Sequence, residues 1–206
     1  MSHGDVWAVS PSALSANYFR AAATHGGGAL VLLKSDFASA GATNGCGYKV
    51  TFTASADNTS STSYTVVGQI VGQESGTTSE VVAAPTDTTP VPTTKYWARV
   101  DSITAAATSN AVTVSIGYAA GLALPRTRIK GVHYLAATTA GSVAVAMAGS
   151  STNTILNIDT PAVAANAWGG EYILIPGNGI LVGRNLDSDY GVVTLTTITK
   201  ATLFCG

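Results

Sequence analysis

Charged residues are scarce in this chain. Lys, Arg, Asp and Glu together make up 10% of the 206 residues, against about 25% in an average globular domain. Hydrophobic residues stand at an ordinary 46%, so Thr, Ser, Ala and Gly take the places that charges would fill. This composition favours strands over helices, whose exposed faces usually carry Lys and Glu. It also suits a protein that buries surface against copies of itself or a partner, since interface centres are depleted in charge.

A basic stripe is also missing. The net charge is −1, and neither sign forms a long run. Binding to nucleic acid needs clustered Lys and Arg that neutralise phosphates, and anionic membrane surfaces attract clusters of the same kind. The sequence therefore predicts neither nucleic acid nor a membrane as a partner.

Long apolar runs and closely spaced cysteines are absent too. The run Ala29–Leu33 is far too short to cross a bilayer, and the first ten residues lack the basic stretch and apolar core of a signal peptide. Cys46 and Cys205 are distant in sequence, with no CxxC spacing. A disulfide between them stays open, but without a secretory signal two reduced thiols are the expected state. The sequon at Asn58 matters only in a secreted eukaryotic protein.

What the chain does have is repeated alternation of apolar and polar residues with a period of two, which predicts half-buried antiparallel strands. In the first half the alternating segments are 48–54, 63–67, 79–83, 94–101 and 111–117. The pattern places Val100 on the face opposite Trp97. The second half contributes segments 128–135, 140–147, 154–159, 171–175, 179–182 and 191–199, the last continuing into 203–204.

This spacing predicts an all-β fold of two small antiparallel β-sandwich or barrel-like domains. The turn residues around 123–127 set the boundary, so the predicted domains are 1–124 and 125–206. Near the start, Ser10 could cap a short helix running from Pro11 to Ala23, although the segment could equally be an N-terminal arm. The three prolines within 84–94 predict an exposed extended loop.

The stretch YILIPGNGILVG, residues 172–183, contains three closely spaced glycines. A dinucleotide-binding fingerprint would need G-x-G-x-x-G followed by a helix. Here Gly177, Gly179 and Gly183 are spaced one residue too long, and strand-forming residues follow Gly179. Pro176 and Asn178 are typical turn residues, so the stretch predicts a hairpin between two strands.

The segment His25-Gly-Gly-Gly28 resembles the oxyanion-hole segment of lipases and esterases. That interpretation also requires a nucleophile elbow, G-x-S-x-G. The nearest match, Gly72–Gly76, has its serine in the wrong place. A loop or bend that leads into Ala29–Leu33 is therefore the preferred interpretation of this segment.

No combination of acidic residues and histidines predicts a metal site. His3, His25 and His133 are isolated in the sequence, whereas a zinc site needs three or four converging ligands. Asp187 and Asp189 resemble part of a calcium loop, but the glycine and the terminal glutamate of an EF-hand are missing.

Trp97 and Trp168 could line a sugar-binding groove, but two core or interface tryptophans are the preferred interpretation. A glycoside hydrolase would also need a pair of carboxylates in that groove. We therefore assign no catalytic, cofactor-binding or metal-binding residue, expect no cofactor, and predict that the chain is not an enzyme.

Two groups of segments show a family resemblance. The segments are Tyr64–Gly68, Ser79–Val82, Pro85, Thr93–Trp97, Val100–Ile103 and Val112–Gly117 in the first half, and Gly141–Val143, Ile155–Pro161, Ile175–Ile180 and Leu203–Gly206 in the second. Together they resemble small all-β structural proteins of tailed bacteriophages. The resemblance spans roughly residues 45–206 and rests on strand and turn patterns.

The resemblance implies a virion component, assembled in the host cytoplasm. A capsid decoration or cement protein is the expected role, with a homotrimer and the major capsid protein as the expected partners. The proline-rich loop and the N-terminal arm would be the segments that reach a neighbouring subunit. The alternatives are a tail, neck or fibre-associated structural protein, or a carbohydrate-binding adhesion module.

Overall fold

A computed structural model describes residues 7–43, 45–56, 63–73, 75–109, 112–147, 153–164, 169–182 and 190–206. Within these ranges the chain is built from strands, and the one helical element is a 3₁₀ turn at Ala38–Ala40. All strand pairs are antiparallel. The predicted all-β fold is confirmed. No helix of the described residues is long and apolar enough to span a membrane.

The strands follow one another in short succession. In the first part of the chain they are β1 (Trp7–Val9), β2 (Ser15–Ala23), β3 (Gly28–Ala29), β4 (Val50–Ala54), β5 (Ser63–Ile70), β6 (Thr78–Ala83), β7 (Val91–Pro92), β8 (Trp97–Ala105) and β9 (Val114–Tyr118). The remaining strands are β10 (Leu122–Leu124), β11 (Thr127–Ala136), β12 (Gly141–Met147), β13 (Thr154–Thr160), β14 (Gly170–Leu174), β15 (Ile180–Val182), β16 (Gly191–Thr196) and β17 (Ile198–Cys205).

Contacts divide the chain into two compact units. We call them the 13–120 unit, made of Ala13–Phe37 and Gly47–Ala120, and the 121–206 unit, made of Met1–Ser12, Ala38–Cys46 and Gly121–Gly206. Strand β1 belongs to the 121–206 unit because it pairs with β17. The predicted domains 1–124 and 125–206 place residues 1–12 and 38–46 with the first half of the chain, whereas contacts place them with the second half. Turn residues mark only local breaks in the chain and do not show such contacts.

The 13–120 unit contains two four-stranded sheets, with strand orders β2–β9–β4–β7 and β3–β8–β5–β6. Phe52 on the first sheet stacks on Tyr64 of the second, with ring centroids 4.4 Å apart and an interplanar angle of 13°. Both rings are fully buried. Large aromatic side chains that interlock in this way dominate core energetics, so this pair joins the two sheets.

Strand β8 departs from simple alternation. Trp97, Val100 and Ile103 are all fully buried, although strict alternation places Trp97 and Val100 on opposite faces. Two register shifts in the pairing with β5 leave Ala98 and Asp101 without a partner. Each extra residue of a β-bulge reverses the side to which the following residues point. The predicted face of Trp97 was therefore wrong.

The 121–206 unit also contains two sheets, with strand orders β10–β16–β12–β13 and β1–β17–β11–β14, and β15 pairs with β11 as well. The predicted strand 191–199 is divided at Thr197, which has a φ of 50°. Because β16 and β17 belong to different sheets, the chain crosses between the sheets at this residue. Gly191 makes the approach of the sheets possible, since a Cβ there would lie 2.2 Å from a methyl carbon of Val182.

The PGNG stretch does not form a hairpin. Strands β14 and β15 both pair antiparallel with β11, through Gly131↔Leu174 and Ile129↔Ile180 at their facing ends. The two strands therefore run in the same direction along one edge of β11. Pro176–Gly179 leaves this edge and returns to it, so the prediction of a strand-reversing turn was wrong. The turn residues were recognised correctly, but a loop within one interrupted edge strand uses the same residues. Gly183 lies outside the described residues.

The segment predicted as a short helix or arm is a strand. Residues Ser15–Ala23 form β2, which pairs with β9, and Phe19 within it is fully buried. Both predictions were wrong for this segment. Its Ala- and Ser-rich sequence has adequate helix propensity, but propensity is a weak preference that tertiary pairing overrides.

The proline-rich segment 84–94 is exposed over Thr86–Pro90, as predicted. Val91–Pro92 then forms the short strand β7 at the edge of its sheet, beside β4. An edge is the position in a sheet at which proline is tolerated, because its missing N–H need not face a partner strand.

Candidate functional site

His25 and Tyr64 form a buried polar pair in the 13–120 unit. The His25 Nε2 atom lies 2.7 Å from the Tyr64 hydroxyl, and Nδ1 lies 3.0 Å from the carbonyl oxygen of Gly26. A carbonyl oxygen can only accept, so in the neutral imidazole Nδ1 carries the proton and Nε2 accepts from the tyrosine. Ser109 fixes the His25 backbone, because its hydroxyl accepts from the His25 N–H and its own N–H donates to the His25 carbonyl.

The surroundings of this pair favour a structural role. Burial raises the pKa of Tyr64 to about 12, and the charge of Arg20 lowers it in part. The Arg20 Nε atom is itself buried without a hydrogen-bond partner. His25 and Ser109 are also buried, so a substrate has no direct access to them. Gly28, the last residue of the segment that resembles an oxyanion hole, begins β3 against β8. The preferred interpretation, a bend into Ala29–Leu33, agrees with this placement.

The two cysteines are free and buried in the 121–206 unit. Burial raises the pKa of Cys46 well above its usual range, and the neighbouring Cys205 thiol raises it further. Burial raises the pKa of Cys205 to about 12, against a lowering effect of the Thr127 side chain. Thiols of this kind stay protonated at neutral pH and are poor nucleophiles.

The remaining residues singled out from the sequence are not brought together. Trp97 is in the core of the 13–120 unit, whereas His133 is half-buried on β11 of the other unit. Within the part of the chain that the structure describes, no three His, Cys, Asp or Glu side chains are placed to hold a metal ion. His3, Asn58, Trp168, Asp187 and Asp189 lie outside the described residues.

The apolar run Ala29–Leu33 lines a cleft in the 13–120 unit. Val31 and Leu33 are strongly exposed. The Leu30 N–H donates to the carbonyl oxygen of Ile103, and the Val100 N–H donates to that of Ser35, with residues 31–34 between these two bonds. The resulting cleft of about 370 Å³ is open to solvent and is lined by Leu30, Leu32, Leu33, Lys34, Ser35, Val100, Asp101 and Ser102.

The most distinctive surface is one face of the β1–β17–β11–β14/β15 sheet. Most side chains on its other face are buried, among them Ile129, Val132, Tyr134, Ala201 and Leu203. Directly paired residues share a face, so Tyr172 and Thr202 lie with His133, and Leu174 and Phe204 lie with Gly131. We call this the outer sheet face. Its apolar side chains are exposed: Tyr172 by 49% and Leu174 by 69%.

Tyr172 is the centre of the outer sheet face. Its ring meets Phe204 edge to face, with centroids 5.3 Å apart. Its hydroxyl lies over Gly131, where a Cβ would be 3.0 Å from the hydroxyl oxygen. The bare glycine thus lets the tyrosine lie flat across β11. Sequence reasoning had treated 171–175 only as a strand, although the alternation of Tyr172 with Leu174 is the signal of one shared face.

Two cations converge beside this apolar centre. Lys130 Nζ donates to the carbonyl oxygen of Asn178 at 3.2 Å and to its side-chain oxygen at 3.1 Å. Arg128 Nη1 approaches the same Asn178 carbonyl at 3.4 Å and the Gly179 carbonyl at 3.5 Å. The PGNG loop is therefore held against β11 by two positively charged side chains.

The two surface features described above are the open cleft beside Ala29–Leu33 and the outer sheet face. Comparison of the chain with family models, with curated proteins and with solved structures finds no match. The fold and the placement of side chains are therefore the basis on which a function is proposed.

Proposed function

We propose that the chain is a non-enzymatic structural protein of a tailed-phage virion. In this proposal it is a capsid decoration or cement protein, which binds the outer shell as an oligomer. The residue patterns that resemble such proteins motivate the virion setting. A role in assembly is supported separately, by the surface of the 121–206 unit.

The observation that carries the proposal is the clustering of exposed apolar side chains on adjacent edge strands. Tyr172, Leu174 and Leu181 on β14 and β15 are all substantially exposed. Single exposed apolar residues are ordinary on protein surfaces, whereas contiguous ones mark interaction sites. A chain with 10% charged residues has few of the charges that usually keep such surfaces apart.

A direct test uses light scattering after size-exclusion chromatography, followed by co-sedimentation with empty shells of the phage that encodes the chain. We expect an oligomer that sediments with the shells in a saturable manner. Electron microscopy with a labelled antibody then distinguishes a shell position from a tail position. A stable monomer that never binds particles would overturn the proposal.

The contribution of loop 84–94 can be tested in the same assay. The exposed tip Thr86–Pro90 is the part to shorten, because Pro85 and Thr93 on either side are buried. Deletion of residues 1–24 is not a clean test, since it removes β1 and β2 from two sheets. If the shortened loop leaves oligomerisation and particle binding unchanged, that loop does not contact a neighbouring subunit.

A further inference from the structure

We propose that the outer sheet face docks on an acidic protein surface, one whose carboxylates flank a central apolar patch. This inference rests on the proposed function and specifies the chemistry of the surface that the shell presents. The docking face consists of the apolar residues Tyr172, Leu174 and Phe204, together with the cations Arg128, Lys130 and Lys200.

Charge on this sheet is separated by face. Arg128 is paired with the exposed Leu181, and Lys200 is paired with Leu135, which places both cations on the outer side. Lys130 reaches the same Asn178 carbonyl as Arg128. The one carboxylate in these five strands is Glu171, which is paired with Tyr134 on the other face and accepts the hydrogen bond of its hydroxyl at 2.8 Å. The outer sheet face is therefore cationic and has no carboxylate on its own strands.

The 13–120 unit handles its charges differently. Arg99 forms an ion pair with Asp101 at 2.6 Å. Glu80 accepts hydrogen bonds from the backbone of Thr94 and Lys95. Arg99 of the 13–120 unit is thus paired with a carboxylate, whereas, among the residues that the structure describes, Arg128 and Lys130 donate to carbonyl oxygens and pair with no carboxylate.

The spacing of the cations defines the partner. Arg128 and Lys130 lie at one end of the apolar strip, and Lys200, opposite Leu135, lies at the other. Seven residues of strand separate 128 from 135, which is roughly 23 Å. A complementary surface therefore carries apolar side chains over the middle of this distance and Asp or Glu near both ends.

A protein fits this face better than a nucleic acid does. Three cations are well below the roughly six to ten phosphate contacts of a typical DNA-binding protein. The centre of the strip carries Tyr172, Leu174 and Phe204 with His133 and Thr202 beside them, and its Lys and Arg residues are confined to the two ends. An apolar centre with a charged rim is the arrangement of protein–protein interfaces.

The test compares two substitutions to glutamate, each assayed by co-sedimentation with empty shells of the phage that encodes the chain. Leu174→Glu introduces a negative charge at the centre of the face. Val81→Glu is the matched control, because Val81 is exposed by 68% against 69% for Leu174 and lies on β6, also an edge strand. We expect Leu174→Glu to weaken shell binding by about tenfold or more, and Val81→Glu to change it by less than about twofold. Circular dichroism spectra of both variants should match the unmodified chain.

A second pair of variants tests the charges. The triple variant Arg128→Gln, Lys130→Gln, Lys200→Gln should bind shells more weakly and lose the dependence on salt between about 50 and about 300 mM NaCl. The control triple variant Lys34→Gln, Lys49→Gln, Lys95→Gln, in the 13–120 unit, should keep that dependence.

The possible outcomes separate the two proposals. If the unmodified chain does not bind shells, the proposed function fails and this inference fails with it. If it binds and Leu174→Glu binds as well as Val81→Glu, or the two triple variants behave alike, the inference alone fails. If a short double-stranded DNA displaces the unmodified chain from the shells, and the first triple variant is no longer displaced, the outer sheet face binds nucleic acid. That result would overturn the acidic protein partner.

Discussion

The Tyr64 hydroxyl and the His25 Nε2 atom lie 2.7 Å apart in the core of the 13–120 unit. Since His25 Nδ1 is directed to the Gly26 carbonyl, the tyrosine is the donor to the neutral ring. Ser109 holds the histidine backbone from the other side. The bond thus links the loop before β3 to β5, and it satisfies two polar groups that would otherwise be buried without partners.

Removal of this hydroxyl should destabilise the protein. Tyr64→Phe keeps the ring that stacks on Phe52 but leaves Nε2 of His25 without its donor. An unsatisfied buried acceptor costs about 1–3 kcal/mol, which urea unfolding would measure as a lower midpoint. Tyr172→Phe is the control, because the hydroxyl of Tyr172 is on the exposed outer sheet face, and its effect should be under about 0.5 kcal/mol. Equal effects of the two changes would contradict the structural role of the pair.

Gly117 should not tolerate a side chain. A Cβ at this position of β9 would lie 1.7 Å from the carbonyl oxygen of Ser15 on β2. Gly117→Ala should therefore push the two strands apart and cost about 2–4 kcal/mol in the free energy of unfolding. At Gly26 a Cβ meets nothing within 4 Å, so Gly26→Ala is the matched control and should be nearly neutral. Thermal unfolding of both variants decides the matter.

The two glycines of the PGNG loop should respond differently to asparagine. Gly177 and Gly179 have φ values of 70° and 74°, and asparagine is one of the few residues that tolerate this region. A Cβ at 177 meets nothing, whereas a Cβ at 179 would be 2.5 Å from the Ile129 carbonyl oxygen. Gly177→Asn should cost under about 1 kcal/mol and Gly179→Asn about 2 kcal/mol or more. The reverse order, in urea unfolding, would contradict the position of the loop against β11.

Stability should fall in alkali because of the cysteines. Cys205 has an ordinary pKa of 9.0, which burial raises to about 12 in the folded chain, and burial raises that of Cys46 as well. Above pH 9 the unfolded chain releases thiol protons that the folded chain retains, so the free energy of unfolding decreases as the pH rises. The two thiols should together remove about 2 kcal/mol between pH 9 and 10.

The measurement is urea unfolding under reducing conditions at pH 8, 9 and 10. The double variant Cys46→Ala, Cys205→Ala should start from a lower stability, because it creates small cavities, but should lose less of it between pH 9 and 10. Tyr64 contributes above its ordinary pKa of 10.0, outside this window. An unchanged slope in the double variant would show that other groups cause the alkaline loss.

Alternating residues were sufficient to predict most of the longer strands. Val50 and Phe52 on β4 are buried while Lys49 and Thr53 are partly exposed, as the pattern requires. Most of these strands bury apolar residues at every second position, although Thr51 on the predicted polar face of β4 is buried as well. The strands missed were mostly short, such as β1 and β10 with three residues each, because three residues are too few to display a period.

The candidate site was beyond the reach of the sequence. Tyr172 and Phe204 are close only because β14 and β17 flank β11, where the register places Tyr172 opposite His133 and Phe204 opposite Gly131. Both residues fall in stretches singled out from the sequence, 172–183 and 203–206, but nothing in either stretch predicts that the two rings meet. Local chemistry identified the PGNG turn residues, yet the same residues serve a hairpin and a loop within an interrupted edge strand.

Composition and periodicity by themselves determined that this protein is all β, because both depend on neighbouring residues in the chain. The tertiary structure alone decided where β8 bulges, why β2 is a strand, and which side chains share the outer sheet face. These features depend on pairing between segments that are distant in the sequence. The free energy of such pairing exceeds local propensities, which is why Ser15–Ala23 follows β9 and not its own helical tendency.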